Sequence, residues 1–300
     1  MNAHPNIPTH RPWPTRFLAD NHAIKRACER ASDPGGAWSA MAVHCAARSL
    51  GMEPPASGGI EAMFDTRSAH EGAVRLLRDD PGEAGTTFSR AQQSIMWLHP
   101  LVVSGVSCFG ISKGIALSSE DDGSEADWRP SPGTGVFVDL EGHGFEIHDT
   151  PVLGVVFSRP EPDGTIVTPI IDDGGWVPVH APVFVADGES VVDAARGVVG
   201  RPHAVTVRTP NGSVMGERDV GGGSFLRDRR RVMSAGDDLA RVFGTAHRAA
   251  SIRARRGAHK EWQGVPEGLL GDLMSERQSV RLRAAKRARK AGAYVLETVS

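Results

Sequence analysis

The chain has 300 residues, 40% of them hydrophobic and 23% charged, which is enough apolar material for a sizeable core and excludes wholesale disorder. Its three cysteines, Cys28, Cys45 and Cys108, are odd in number and nowhere spaced C-x-x-C, which excludes a disulfide framework and a cysteine-rich zinc site. The net charge of −2 conceals an asymmetry: residues 227–300 hold 17 Lys/Arg against 8 Asp/Glu (+9), leaving 17 against 28 (−11) for residues 1–226. Such an imbalance points to a polyanionic partner, nucleic acid first, or to an acidic protein surface in a larger assembly.

There is no run of about 18 apolar residues, and Met1 to Arg16 carries Pro and His where a signal peptide needs an apolar core. The expectation is a cytoplasmic protein with no membrane partner.

In chain order, residues 1–117 predict a mainly helical region. Trp38, Met41, Ala42, Cys45, Ala46 and Leu50 recur at helical spacing, with Gly51 as the stop. Ser68 and Glu71 form a capping-box pattern for a helix through Val74 and Leu77, closed by Asp80-Pro81-Gly82. A third helix is predicted from Ser89 to Leu98, stopped by Pro100, and a strand pair from Leu101 to Leu117. Residues 118–135, rich in Ser, Asp, Glu, Gly and Pro, predict a linker or surface loop.

Residues 136–226 predict a β-rich region with hairpins. Strands are expected at Val136–Leu140, Val152–Phe157 and Thr165–Ile171, the last two joined through Pro162-Asp163-Gly164, and at Ala204–Arg208 and Ser213–Glu217 around Asn211-Gly212. A short helix fits Ser190 to Gly197. Residues 227–300 predict a basic helical tail. One helix carries Leu239, Val242, Phe243 and Ala246, with Asp237 as N-cap and Gly257 as stop, and a last one starts at Ser275 with Gln278 completing a capping box. The class expected is α+β.

The densest group of reactive side chains runs from Val136 to Asp149. On a strand, residues two apart face the same side, so Asp139 and Glu141 project together, and two carboxylates at a strand end suit Mg or Mn. The stretch Val136-Phe137-Val138-Asp139-Leu140-Glu141-Gly142-His143-Gly144, followed by the strand at Val152–Phe157 and the Asp-Gly hairpin, resembles the first motif of the ribonuclease H-like exonucleases of the DEDD type. His180-Ala-Pro-Val-Phe-Val-Ala-Asp187 and His247-Arg248-Ala249 echo that family's second and third motifs. The resemblance covers about 40 residues and implies two metal ions held by Asp139 and Glu141, with His143 beside them, activating water against a phosphodiester. A different set, His143 and His148 around Glu146, has spacing that permits a three-ligand zinc site, while a solvent-facing hairpin loop explains the same residues without metal.

Two basic elements suit phosphate. Gly221-Gly222-Gly223-Ser224 followed by Arg227, Arg229, Arg230 and Arg231 places flexible amides beside guanidinium groups, and also fits a plain linker. The last helix carries Arg281, Arg283, Lys286, Arg287 and Lys290. No G-x-S-x-G and no G-x-G-x-x-G after a strand is present, which leaves nucleophilic catalysis and dinucleotide binding unsupported. The expected function is nucleic-acid binding, DNA or RNA, with metal-dependent nuclease activity as an extension, a non-catalytic assembly subunit as the alternative and a zinc-dependent enzyme centred on His143 and His148 as a further one.

Overall fold

The computed structural model describes residues 11–53, 67–117, 128–147, 149–159, 164–172, 183–197, 203–208, 214–220, 229–291 and 293–299. The first described third is helical: α1 (Trp13–Asp20), α2 (His22–Arg30), α3 (Pro34–Ser49), α4 (Arg67–Arg78) and α5 (Glu83–Val103). The start of α3 is set by Asp33, whose side chain accepts from Gly36 N at 2.8 Å, and by Pro34, whose fixed φ suits the first turn. It ends at Gly51, φ +70°, where Met52 N donates to Ala47 O at 2.8 Å, a left-handed closure that glycine adopts without strain. Met41, Ala42, Cys45 and Ala46 are buried as their spacing predicts, while Leu50 lies past the last turn and is exposed.

Three local expectations fail in this region. The helix α5 begins at Glu83 and continues through Pro100 to Val103, so proline does not stop it. A proline in the last turn deprives the helix of one hydrogen bond, and here the turn is held instead by Ser104, whose Oγ lies 2.7 Å from Pro100 O and 2.8 Å from Gly135 O. The predicted strand pair at 101–117 is the end of α5, one strand β1 (Ser107–Ile111) and a short helix α6 (Lys113–Leu117). Ser68, proposed as a cap, lies inside α4.

The strands β2 (Gly135–Asp139), β4 (Thr150–Ser158) and β5 (Gly164–Ile171) match the expected ones, with a two-residue β3 (Glu146–Ile147) paired to β4 and a further β6 (Val183–Ala186). The predicted short helix is α7 (Val191–Arg196), capped by Ser190. The predicted hairpin is present as β7 (His203–Arg208) and β8 (Val214–Val220), a separate two-stranded sheet. Its turn Asn211-Gly212, like Pro162-Asp163, lies outside the described residues.

The tail departs most from expectation. A long α8 (Arg229–Arg256) begins eight residues before Asp237, which is therefore inside the helix, and ends at Gly257, φ +80°, as predicted. It is followed by β9 (His259–Gln263), α9 (Glu267–Leu273), α10 (Gln278–Lys290) and β10 (Tyr294–Val299), so two strands stand where only helix was expected. Ser275 is not the cap of α10; its Oγ accepts from Arg277 N at 3.3 Å, ahead of the helix.

The main sheet runs β6-β5-β4-β2-β1-β10-β9, drawing strands from residues 1–117, 136–226 and 227–300 alike. The central strands β2, β1 and β10 are parallel, and the rest pair antiparallel. One face carries Phe109, Val138, Val155 and Phe157 beneath α7 and α8. The opposite face carries Phe137, Val156 and Ile170 beneath the N-terminal helices, where Trp13 stacks on Phe17 at 4.9 Å and meets Trp97 at 5.8 Å. Glycine is required at position 154: a Cβ there would lie 2.3 Å from the Phe137 ring, which occupies that space.

A third, small cluster is separate from both. Leu273, Ala284, Ala288 and Ala293 pack with Trp262, Val265, Leu269 and Ala285, seating the α9–α10 pair on the sheet's end. Among the described residues no helix is long and apolar enough to cross a membrane.

Candidate functional site

The strand β2 stops at Asp139, so the strand alternation that would carry Glu141 to the same face stops one residue short of Leu140. Asp139 is 1% exposed, and its Oδ1 accepts from Glu141 N at 3.2 Å, a local carboxylate-to-amide bond that turns the chain. Gly142 and Gly144, φ +80° and +73°, complete that turn. Glu141 is half-buried, and its Oε2 accepts from Arg16 Nη2 at 2.6 Å. Arg16 comes from α1, 125 residues away, and no local signal in the sequence announces it.

His143 sits beside this turn. Burial lowers its pKa; the Asp139 charge pulls the other way, and Lys113 adds to the lowering. His148 lies outside the described residues, and Glu146 on β3 is exposed. Among the described residues no three of His, Cys, Asp and Glu are grouped to hold a metal ion. Glu141 is engaged by Arg16 and Asp139 Oδ1 by the Glu141 amide, so among the described residues neither carboxylate is grouped with two further candidate ligands.

The echoes of the second and third motifs fall on structural contacts. Asp187 pairs with Arg159 at 2.6 Å, and His180 lies outside the described residues. His247 is buried in α8, with Nε2 2.9 Å from Trp128 O and 3.2 Å from Arg129 Nη1. Arg129 also donates to Trp128 O and to Glu189 O, so this group ties the segment entering β2 to α8 and to the loop before α7. The expected loop at 118–135 is thus anchored at its downstream end, while residues 118–127 lie outside the described residues.

Cysteine and cleft chemistry are likewise occupied by structure. Burial pushes the thiols of Cys28 and Cys45 up to about 12 and raises that of Cys108 as well, the reverse of what a nucleophile needs. A cleft of about 230 Å³ lies at the C-terminal end of α8, but its charged lining is mutually paired. Arg253 donates to Glu297 Oε2 at 2.6 Å and covers the Phe109 ring at 4.9 Å, and Lys260 lies 2.8 Å from Glu297 Oε1.

The basic residues behave differently. Arg229, Arg230 and Arg231 form the first turn of α8 by backbone, while Arg227 and Gly221–Ser224 lie outside the described residues. In α10, the buried side is made only of alanines, Ala284 and Ala288. Arg281, Arg283, Lys286, Arg287 and Lys290 are all exposed, and among the described residues none of them is in an ion pair. Arg281 Nη1 donates to Ser275 O at 3.1 Å, which braces the turn before the helix, and Arg283 Nε donates to Ser279 O at 3.2 Å within the helix itself. Arg289 lies 5.8 Å over the Trp262 ring, fixing the C-terminal end of the helix to β9.

A helix, the four-residue turn Met274–Arg277 and a second, strongly basic helix thus project as one unit. The chain matches no protein-family model, no curated protein and no solved structure.

Proposed function

We propose that the protein binds nucleic acid through the α9–α10 unit. The observation that carries this is the unmatched charge of α10: five cations, Arg281, Arg283, Lys286, Arg287 and Lys290, on an exposed helix held to the body by small apolar contacts. Like charges at helical spacing repel one another, and phosphates relieve that repulsion while releasing their counterions. The acidic body does not take up these charges among the described residues, which favours an external polyanion over an internal partner.

Binding of mixed-sequence DNA and RNA, followed by fluorescence anisotropy between about 50 and 200 mM salt, tests this. Each phosphate contact contributes about 0.9 to the slope of log affinity against log salt, so five contacts give a slope near 4 to 5. Reversal of two charges, Lys286→Glu with Arg287→Glu, is expected to reduce that slope by about 2. Binding that ignores salt, or whose salt slope is unchanged by the reversal, rejects the assignment. The exposed apolar side chains Leu270 and Met274 favour a second function, docking on an acidic protein in a larger assembly; that function predicts no affinity for polynucleotides at any salt.

A further inference from the structure

The outward face of α10 carries more than charge. At 100° per residue, the positions opposite the buried Ala284 and Ala288 are Ser279, Leu282 and Lys286, with Gln278 and Arg289 to one side and Arg283 and Lys290 to the other. All are exposed, and Leu282 is 63% exposed in the middle of them. A leucine in that place does nothing for the core, and water around it is unfavourable. It is covered only if the partner brings an apolar group into the centre of a basic face.

Among the surfaces nucleic acids offer, the major groove of B-form duplex DNA meets this description. The groove is about 12 Å wide, close to the 10–12 Å diameter of a helix with its side chains, and thymine presents a methyl group there. Glutamine and serine pair with base edges in the same groove, and phosphates line its rims. The major groove of A-form RNA is too deep and narrow for a helix. Single strands call for aromatic platforms, and the one aromatic ring in the small cluster that seats the unit, Trp262, is covered by Arg289.

We infer that α10 enters the major groove of duplex DNA, with Ser279, Leu282 and the stem of Lys286 central in the groove, Gln278 beside them, and the charged ends of Arg283, Lys286, Arg287 and Lys290 reaching the flanking phosphates. This rests on the nucleic-acid reading above and narrows it to sequence-selective duplex recognition. The alanine seat buries one side of the helix and leaves the other exposed, and the bonds from Arg281 to Ser275 O and from Arg283 to Ser279 O hold its N-terminal half in shape.

The test uses the full chain and selection from a randomised duplex DNA pool, followed by affinity measurements on the selected site. Duplex RNA, single strands and anionic vesicles serve as competitors. A defined motif containing thymine is expected, together with preference for duplex DNA over the three competitors. Replacing that thymine by deoxyuridine removes one methyl group and is expected to weaken wild-type binding about fourfold, as burial of a methyl-sized group predicts. The Leu282→Ala variant is expected to lose that sensitivity while keeping its melting temperature, because Leu282 is not part of the core.

No motif, or equal affinity for duplex DNA and RNA, together with the reduced salt slope in the Lys286→Glu/Arg287→Glu variant, overturns the groove assignment and leaves nucleic-acid binding standing. Preference for vesicles, or no binding to any polynucleotide, removes both.

Discussion

The turn after β2 and the α9–α10 unit both concentrate charge, and they treat it in opposite ways. At Asp139 and Glu141 the chain meets its own charges, one through a backbone amide and one through Arg16, inside a sheet end that is closed by helices. In α10 none of the six cations finds an acid among the described residues, and the helix that carries them is seated through alanines. A charge already met by the fold holds the fold together; a charge left unmet is available to a partner. Residue type alone does not separate the two, since the carboxylates looked at least as chemical as the arginines.

The sharpest way to break this comparison is to damage the body and ask whether binding follows. Phe137 is fully buried between β4 and the N-terminal helices, with Gly154 shaped to its ring. Phe137→Ala is expected to cost about 3–5 kcal/mol of stability, lowering the melting temperature by roughly 2–4 °C per kcal/mol in a chain of this size. The protein that remains folded should bind polynucleotide as before.

Next in size is the reverse experiment. Reversing Arg283, Lys286 and Arg287 together is expected to weaken duplex binding about 100-fold, at roughly 1 kcal/mol or slightly less for each lost phosphate contact, with little change in melting temperature. A fall in stability of the size seen for Phe137→Ala would place these cations in the body's own charge balance and erase the contrast. A smaller effect is expected at Arg253, the matched cation on α8: Arg253→Ala leaves Glu297 with Lys260 alone and should cost about 1–3 kcal/mol in chemical denaturation, without touching affinity.

Much of the contrast could be read from sequence, though not the part that decides it. The central strands and α3 follow from alternation, helical spacing and a glycine stop, and all are local signals. β9 and β10 were missed because His259-Lys260-Glu261-Trp262-Gln263 is a largely exposed edge strand with no alternation of polarity, and β10 follows directly on a basic helix. Their pairing places the α9–α10 unit at the end of the sheet, and no pattern within those residues announces it. Arg16 was invisible for the same reason, since the carboxylate it holds is 125 residues away. The cations of α10 were plain from composition, whereas their lack of an internal partner required the fold.

The smallest predicted effect is on pH, and it should appear in the body. His99 is buried with a ring nitrogen 3.1 Å from Ala31 O; burial lowers its pKa, and the Ala31 carbonyl and Asp33 only partly oppose that. The folded state therefore resists protonating it, the unfolded state binds the proton more readily, and stability falls as pH drops below about 6.5 toward the lowered value. Glu297 has a second window. Burial raises its pKa, but the hydrogen bonds and charges of Lys260 and Arg253 outweigh burial and hold the carboxyl below its ordinary range. Its contribution is present above the unfolded carboxylate pKa and is lost as pH falls through the folded one. Melting curves taken from pH 8 down to pH 3 are thus expected to show two successive losses. Glu297→Gln should shrink only the more acidic one, and His99→Gln only the first, which His44 and His143 share because burial lowers their pKa values too. If either variant left both losses undiminished, the group it replaces would not set the stability of the fold.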